Sequence, residues 1–347
     1  MVATLAWAAV HTMLADLTTM RLGGPAGDYE ATTSTDDLVA LIRDADAAGK
    51  PVLVMGGGSN LVVGDQGFEG LVVQVATSGL AVHGEDLIVD AGVDWDTVVE
   101  ASLDAGLAGL EPLSGIPGLT GGTPVQNVGA YGAVISDLLR RLTVYDRTTA
   151  VVEQWLPDRC GFGSHRQSVF KNTNRYVVLD VTFQLTRSTS SRPIHYAGLA
   201  ERLGVAPGAT APTRQVRDAV LSVRRERGMV LDAGDHDTWS VGSFFINPVL
   251  TTVPDKARDC PQYPDPAGTK LSAAWLIDHA GFPRGYGRDR GRGAVALSSK
   301  HALAVTNRGT ATTTEVMEFA VHIREGVEQR FDIRLGPECD LVNCKFG

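Results

Sequence analysis

Glycine stands at positions 115, 118, 121, 122, 129 and 132 of the stretch Ser114–Gly132 (SGIPGLTGGTPVQNVGAYG), and proline at 117 and 124. Backbone entropy makes such a segment a poor helix and a poor strand. It suits a place where another molecule lies against bare main chain, because peptide N–H groups without a neighbouring Cβ can point at phosphate oxygens or at the edge of a flat ring. Gln126, Asn127 and Tyr131 add polar side chains to that surface. A second glycine cluster, Gly56, Gly57 and Gly58 followed by Ser59 and Asn60, offers the same chemistry. Two such turns in one domain point to a long ligand gripped at two places. Arg224, Arg225 and Arg227 form the basic cluster that an anionic ligand would need. Their other reading is charge that favours a helix C-terminus.

The elements that must position these residues follow from pattern. Pro51–Val54, Leu61–Val63, Leu71–Val75 and Leu87–Ala91 read as short strands. Asp94 is a good N-cap for a helix with Trp95, Val98, Val99 and Leu103 on its apolar face. Strands are predicted at Leu142–Tyr145, Val151–Trp155 and Tyr176–Leu185, the last with Val177, Leu179, Val181, Phe183 and Leu185 on one face. From about Thr186 to Pro212 the composition shifts to Ser, Thr, Arg, Pro and Gly, as at a domain boundary. A helix over about 213–227 has Val216, Ala219, Val220 and Val223 inward. Gly242–Val249 reads as a strand, Leu271–Gly281 as a buried helix and Ala302–Thr306 as a strand. The final helix, 313–331, has a capping box in Thr312 and Glu315. The alternation is too irregular for a doubly wound sheet. GGGSN lies between two short strands rather than before a helix, so a Rossmann site is not indicated.

At 347 residues the chain should hold about two domains. Its net charge of −9 argues against nucleic-acid binding but leaves room for a small anionic ligand met by a local basic cluster. Cys160, Cys260, Cys339 and Cys344 show no C-x-x-C spacing, so neither a metal site nor a disulfide framework is expected, and a reducing cytoplasm fits. The first residues, MVATLAWAAVHTMLADLTTM, lack a basic region and read as a short helix or extension, not a signal peptide. No apolar run reaches the roughly 20 residues of a membrane span.

With these residues in view, the sequence resembles the UDP-N-acetylenolpyruvoylglucosamine reductases, the MurB family. The landmarks stand in order: Thr19–Ala26 (TMRLGGPA), Met55–Asn60 (MGGGSN), Gly115–Gly132, Arg166–Lys171 (RQSVFK), Gly242–Pro248 (GSFFINP), Lys270–Gly281 (KLSAAWLIDHAG) and Gly336–Glu338 (GPE). Pro193–Leu199 (PIHYAGL) is similar to the tyrosine-bearing loop of one subgroup. The resemblance implies an α+β chain: a two-lobed FAD-binding domain of the vanillyl-alcohol oxidase (PCMH) type and a smaller C-terminal α+β substrate domain. The implied division is an extension over 1–18, the FAD domain over 19–190, the tyrosine loop and linker over 191–212, and the substrate domain over 213–347. FAD is the implied cofactor and NADPH the electron donor. The implied reaction is reduction of UDP-N-acetylglucosamine enolpyruvate to UDP-N-acetylmuramate in peptidoglycan precursor synthesis, by a cytoplasmic monomer without nucleic-acid or membrane partners.

By the same resemblance, Arg166 and Glu338 stabilise an enolate and Ser243 donates the proton, while flavin N5 carries the hydride. Arginine suits the role because it stays charged and can grip a carboxylate with two bonds. A carboxylate at Glu338 would need to be protonated or held by a cation. The flavin contacts match Gly56, Gly57, Gly58, Ser59 and Asn60, then Ser114, Gly115, Ile116, Pro117, Gly118, Gly122, Gln126, Asn127, Gly129 and Ala130. The substrate contacts match Tyr131, Tyr196, Arg224, Arg227 and Asn247; Arg225 is left solvated. The chain departs from the common pattern at His165 and Ile246, where many members have Tyr and Lys, and at His279 and Asp340, where some have Gln and a basic residue. An FAD oxidase of the same superfamily is the alternative enzyme, and a silent UDP-sugar-binding relative the alternative of another class.

Overall fold

The computed structural model describes residues 12–163, 168–171 and 173–347. Arg166 and His165 lie outside them.

The first lobe is a parallel three-stranded sheet in which Phe68–Val75 lies between Ala26–Thr32 and Val52–Met55. Helix α1 (Thr35–Ala47) starts at Ser34, whose hydroxyl accepts from the Asp37 N–H. It lays Leu38, Ile42 and Ala45 on that sheet. Residues 12–18 belong to this lobe's packing: Leu14 is fully buried against Ala26, Leu53 and Val72. The Thr19 N–H donates to the Gly58 carbonyl at 3.2 Å, which pins the GGGSN turn.

The second lobe is an antiparallel sheet of five strands, ordered Val151–Trp155, Leu139–Asp146, Tyr176–Gln184, Asp86–Asp90 and Leu80–His83. Helix α2 (Trp95–Asp104) covers one face. Asp94 caps it as expected, accepting from the Thr97 N–H at 3.0 Å. The strand at 176–184 departs from the expected single apolar face. Its pairing with the neighbouring strand slips, with Val178 opposite Val144 and Asp180 opposite Thr143. Leu179 is the extra residue of a β-bulge, and one inserted residue exchanges the two faces of a strand. Val177 and Leu179 therefore pack toward the first lobe, while Val181 and Phe183 join the core under α2.

The segment expected as a boundary is folded. Thr186–Arg187 pairs with Leu107–Ala108, and α4 (Ala197–Leu203) packs on α5 (Thr213–Glu226) through Leu199, Ala200, Val216 and Val220. On α5, Leu221 is buried while Ala219 and Val223 are only half-buried. The C-terminal part holds α6 (Ala273–His279), α7 (Thr313–Phe331), a small three-stranded sheet (Val249–Leu250, Gly268–Leu271, Gln262–Asp265) and the pair Val295–Leu297 with Val305–Asn307. One core joins α6, α7, Phe244 and Phe245 to Met20, Leu22 and Val62 from the N-terminal part.

Two expectations fail here. Gly242–Val249 is not a strand: only Val249 enters one, and Gly242 adopts φ +75°, outside any strand. Phe245 makes a single bridge to Pro337 instead, flanked by Ile246 N–H to the Gly336 carbonyl at 3.0 Å and Glu338 N–H to the Phe244 carbonyl at 2.8 Å. The glycine-rich stretch also contains one helical turn, α3 (Gly122–Val125). Finally, Asp340–Val342 returns to pair in parallel with Leu61–Val63 of the first lobe.

The capping box of α7 is present in both directions, and Glu315 is also held by Arg292 at 2.8 Å. Arg292 is the chief reason the Glu315 carboxyl lies at about 2, with the Thr312 N–H adding to it. Thr312→Ala should lower stability by about 1 kcal/mol in a denaturant titration. A depressed folded-state pKa gives stability that is full above the unfolded value and is lost as pH falls toward the folded one. The stability difference between wild type and Glu315→Gln should therefore shrink as pH is lowered from 4.5 toward about 2.

Candidate active site

A cavity of about 740 Å³ runs between the two glycine segments and on to the C-terminal part. Gly56 to Leu61 line one side, and Ile116, Pro117, Gly118, Gly122, Gln126, Gly129 and Ala130 the other. The two segments touch: a Cβ at Gly57 would come 3.2 Å from Gly118 Cα, and one at Gly118, which has φ +126°, would come 2.6 Å from Ser59 Oγ. The positive φ of Gly118 and the tight approach at Gly57 make glycine the favoured residue at that crossing.

Ionic and polar ties hold the second segment in place. Asp96, in the first turn of α2, accepts from the Gly115 N–H at 2.7 Å and from both terminal nitrogens of Arg217 on α5 at 2.7 and 2.8 Å. Burial pushes the Asp96 carboxyl up, but the Arg217 and Gly115 hydrogen bonds outweigh it and hold the group below its ordinary value. Arg224 donates from Nε to the Gly115 carbonyl at 3.2 Å and from Nη2 to the Met229 carbonyl at 2.8 Å. Ser114, Gly115 and Asn127 do not line the cavity. The buried Ser114 hydroxyl donates to the Glu111 carbonyl, and Asn127, at φ +38°, accepts the Ser136 N–H at 3.1 Å. These residues shape the loop from behind.

The same cavity is also lined by Tyr131, Tyr196, Arg224, Arg227, Ser243 and His301. Tyr131 and Tyr196 meet edge to face, with ring centroids 5.4 Å apart. Burial pushes the Tyr131 phenol up against the pull of Arg224 and Arg227, so it stays a neutral hydrogen-bonding group. Tyr131 also holds φ +50°, a backbone strain often stored at binding sites. Burial, helped by Arg227, Arg284 and Arg224, brings the His301 imidazole down to about 4, so it is uncharged at neutral pH.

Glu338 is buried just outside the cavity wall, on the segment bridged to Phe245, so its backbone lies against that of Phe244, which follows Ser243. The Lys171 ammonium donates to the Glu338 carbonyl at 3.0 Å. Asn247 is exposed, accepts the Ala273 N–H at the start of α6 at 2.9 Å, and does not line the cavity. His279 stacks on Trp275 and does not line it either, and Arg225 is exposed. Asp340 lines the cavity. The structure thus brings together Ser243, Tyr131, Tyr196, Arg224 and Arg227 from four separate segments. His301 and Lys171 carry no spacing signal of their own; only the landmark RQSVFK contained one of them.

The cavity has the features of a site for a long ligand bearing acceptors. Asn60 Nδ2 is buried near Asp340 yet meets no acceptor at hydrogen-bonding geometry, and a Cβ at Gly122 would project into open space. Residues 29–153 match the FAD binding domain family model. Residues 234–342 match the model of the UDP-N-acetylenolpyruvoylglucosamine reductase C-terminal domain. A UDP-N-acetylenolpyruvoylglucosamine reductase of Thermobifida fusca is 51% identical, over 95% of this chain and 96% of that protein. The chain belongs to the UDP-N-acetylenolpyruvoylglucosamine reductase family. The reductase of Nocardia farcinica is 49% identical over 96% of this chain and 89% of its own length. The crystal structure of the family's Thermus caldophilus member superposes with a TM-score of 0.67 at 24% identity, covering 96% of this chain and 98% of that one. The fold is therefore that of the reductase family over nearly the whole chain: an FAD-binding domain followed by a smaller α+β domain.

Gly122→Leu should leave the stability of the FAD-free protein within about 1 kcal/mol, because the new side chain enters open space. It should weaken FAD binding at least tenfold in a flavin-fluorescence titration. Unchanged FAD affinity would contradict the placement of the cofactor along Gly122.

Proposed function

We propose that this chain catalyses the NADPH-dependent, FAD-mediated reduction of UDP-N-acetylglucosamine enolpyruvate to UDP-N-acetylmuramate, as a cytoplasmic monomer. The observation that carries the reading is one continuous cavity lined both by two glycine segments and by Ser243, paired tyrosines and arginines. When bound, FAD supplies the two-electron carrier between NADPH and the enolpyruvyl group. The Gly56–Asn60 and Ile116–Ala130 segments would hold it, the close backbone approach serving its phosphates and flat ring.

The remaining chemistry falls to side chains. Reduction places a hydride equivalent on the β-carbon of an unsaturated carboxylate and a proton on the α-carbon, with negative charge passing through the carboxylate. Arg224 and Arg227 supply positive charge for a sugar-nucleotide diphosphate, and the Tyr131–Tyr196 pair lies beside them. Neutral His301 adds a hydrogen-bonding group without adding charge. Ser243 Oγ holds the proton for the α-carbon. Glu338, kept behind Ser243 by the Phe245–Pro337 bridge, and Arg166 meet the developing charge. The cytoplasmic assignment is supported by four free thiols, three of them buried. No helix among the described residues is long and apolar enough to cross a membrane.

Anaerobic stopped-flow absorbance tests the reading. NADPH should bleach the flavin, and the enolpyruvyl substrate should restore its colour under argon; no reoxidation without oxygen would sink the proposal. Ser243→Ala should leave the NADPH phase intact and slow the substrate phase by a factor on the order of a hundred to ten thousand. Unchanged reoxidation would remove Ser243 as the proton donor.

A further inference from the structure

The wall of the cofactor cavity holds a row of polar groups that the reaction scheme leaves unused. Gln126 Nε2 donates to Asp340 Oδ2 at 3.0 Å, and Gln126 Oε1 accepts from Lys171 Nζ at 3.3 Å. The amide orientation is set by these partners, since the reverse would place a donor against the ammonium and an acceptor against the carboxylate. Lys171 also reaches the Glu338 carbonyl at 3.0 Å, and the Asp340 N–H donates to the Asn60 carbonyl at 2.9 Å. Both cofactor-binding segments and the Glu338 segment therefore meet in one row, with a cation at one end and a carboxylate at the other. Gln126 and Asp340 line the cavity itself. Burial pushes the Asp340 carboxyl up, and Lys171 pulls it the other way.

We propose that the Lys171–Gln126–Asp340 row sets the reduction potential of the bound flavin, with Asp340 lowering it and Lys171 raising it. The inference rests on the FAD-dependent reading above. Reduction of a flavin adds negative charge to its ring. A carboxylate in the cavity wall opposes that charge and an ammonium favours it, more strongly than in water because the surroundings are poorly polarisable. Gln126 keeps the two charges apart and in fixed positions.

The test is a spectroelectrochemical titration of the full-length, FAD-loaded protein at about pH 8, well above ordinary carboxyl values. Asp340→Asn should raise the midpoint potential by the equivalent of at least tenfold in the reduction equilibrium, about 30 mV for a two-electron couple. Lys171→Met should lower it by a similar factor, and Lys171→Arg, which keeps the charge, should stay close to wild type. If Asp340→Asn does not retain flavin, the contrast between Met and Arg at position 171 decides alone. Potentials equal to wild type in both charge-removing variants, or shifts in the same direction, would overturn the inference. A wild-type protein that takes up no FAD would instead overturn the functional reading on which it rests.

Discussion

The parallel pairing of Asp340–Val342 with Leu61–Val63 is the contact on which the site depends. It joins almost the last residues of the chain to the strand that follows the GGGSN turn. Without it, Asp340, Leu341 and Val342 would no longer be held in place to line the cavity. Neighbouring bonds reinforce the closure. The Thr313 hydroxyl donates to the Val63 carbonyl at 2.6 Å, and Asp65 accepts the Thr313 and Thr314 N–H groups at 2.7 and 2.9 Å. The start of α7 and the terminal strand are therefore anchored on the same short stretch of the first lobe.

A second constraint acts on the glycine-rich stretch. Glycine allows close approach but does not choose a conformation. The choice comes from outside: Asp96 and Arg224 grip Gly115 from its N–H and carbonyl sides, and Arg217 fixes Asp96. Charged groups on α2 and α5 thus keep the backbone amides in one arrangement, which limits the ordering cost when a ligand binds.

What could be read from residues alone tracks how local each signal is. The caps at Asp94 and Thr312 and the apolar stripe of α2 are set by neighbours a few positions apart, and they were legible. The bulge at Leu179 was not, because a strand's faces depend on pairing with a distant partner and alternation looks the same until the register slips. Gly242–Val249 has the apolar content of a strand, but its partner is one residue of the tail, which no local pattern announces. The same holds for the site. The glycine segments declared a backbone-lined ligand site by composition. Ser243, Glu338, Tyr196 and the arginines were assigned through the family resemblance, and Asn247, matched in the same way, does not line the cavity. Lys171 and Asp340 became visible as a charge pair only once Gln126 was found between them.

In the proposed function, the strand Asp340–Val342 is part of the cofactor site. Hydrogen–deuterium exchange of the full-length protein with and without FAD tests it directly. FAD should slow amide exchange in Gly56–Asn60, in 115–130 and, to a comparable degree, in Asp340–Val342. Protection confined to the two glycine segments, with exchange in Asp340–Val342 unchanged, would contradict it.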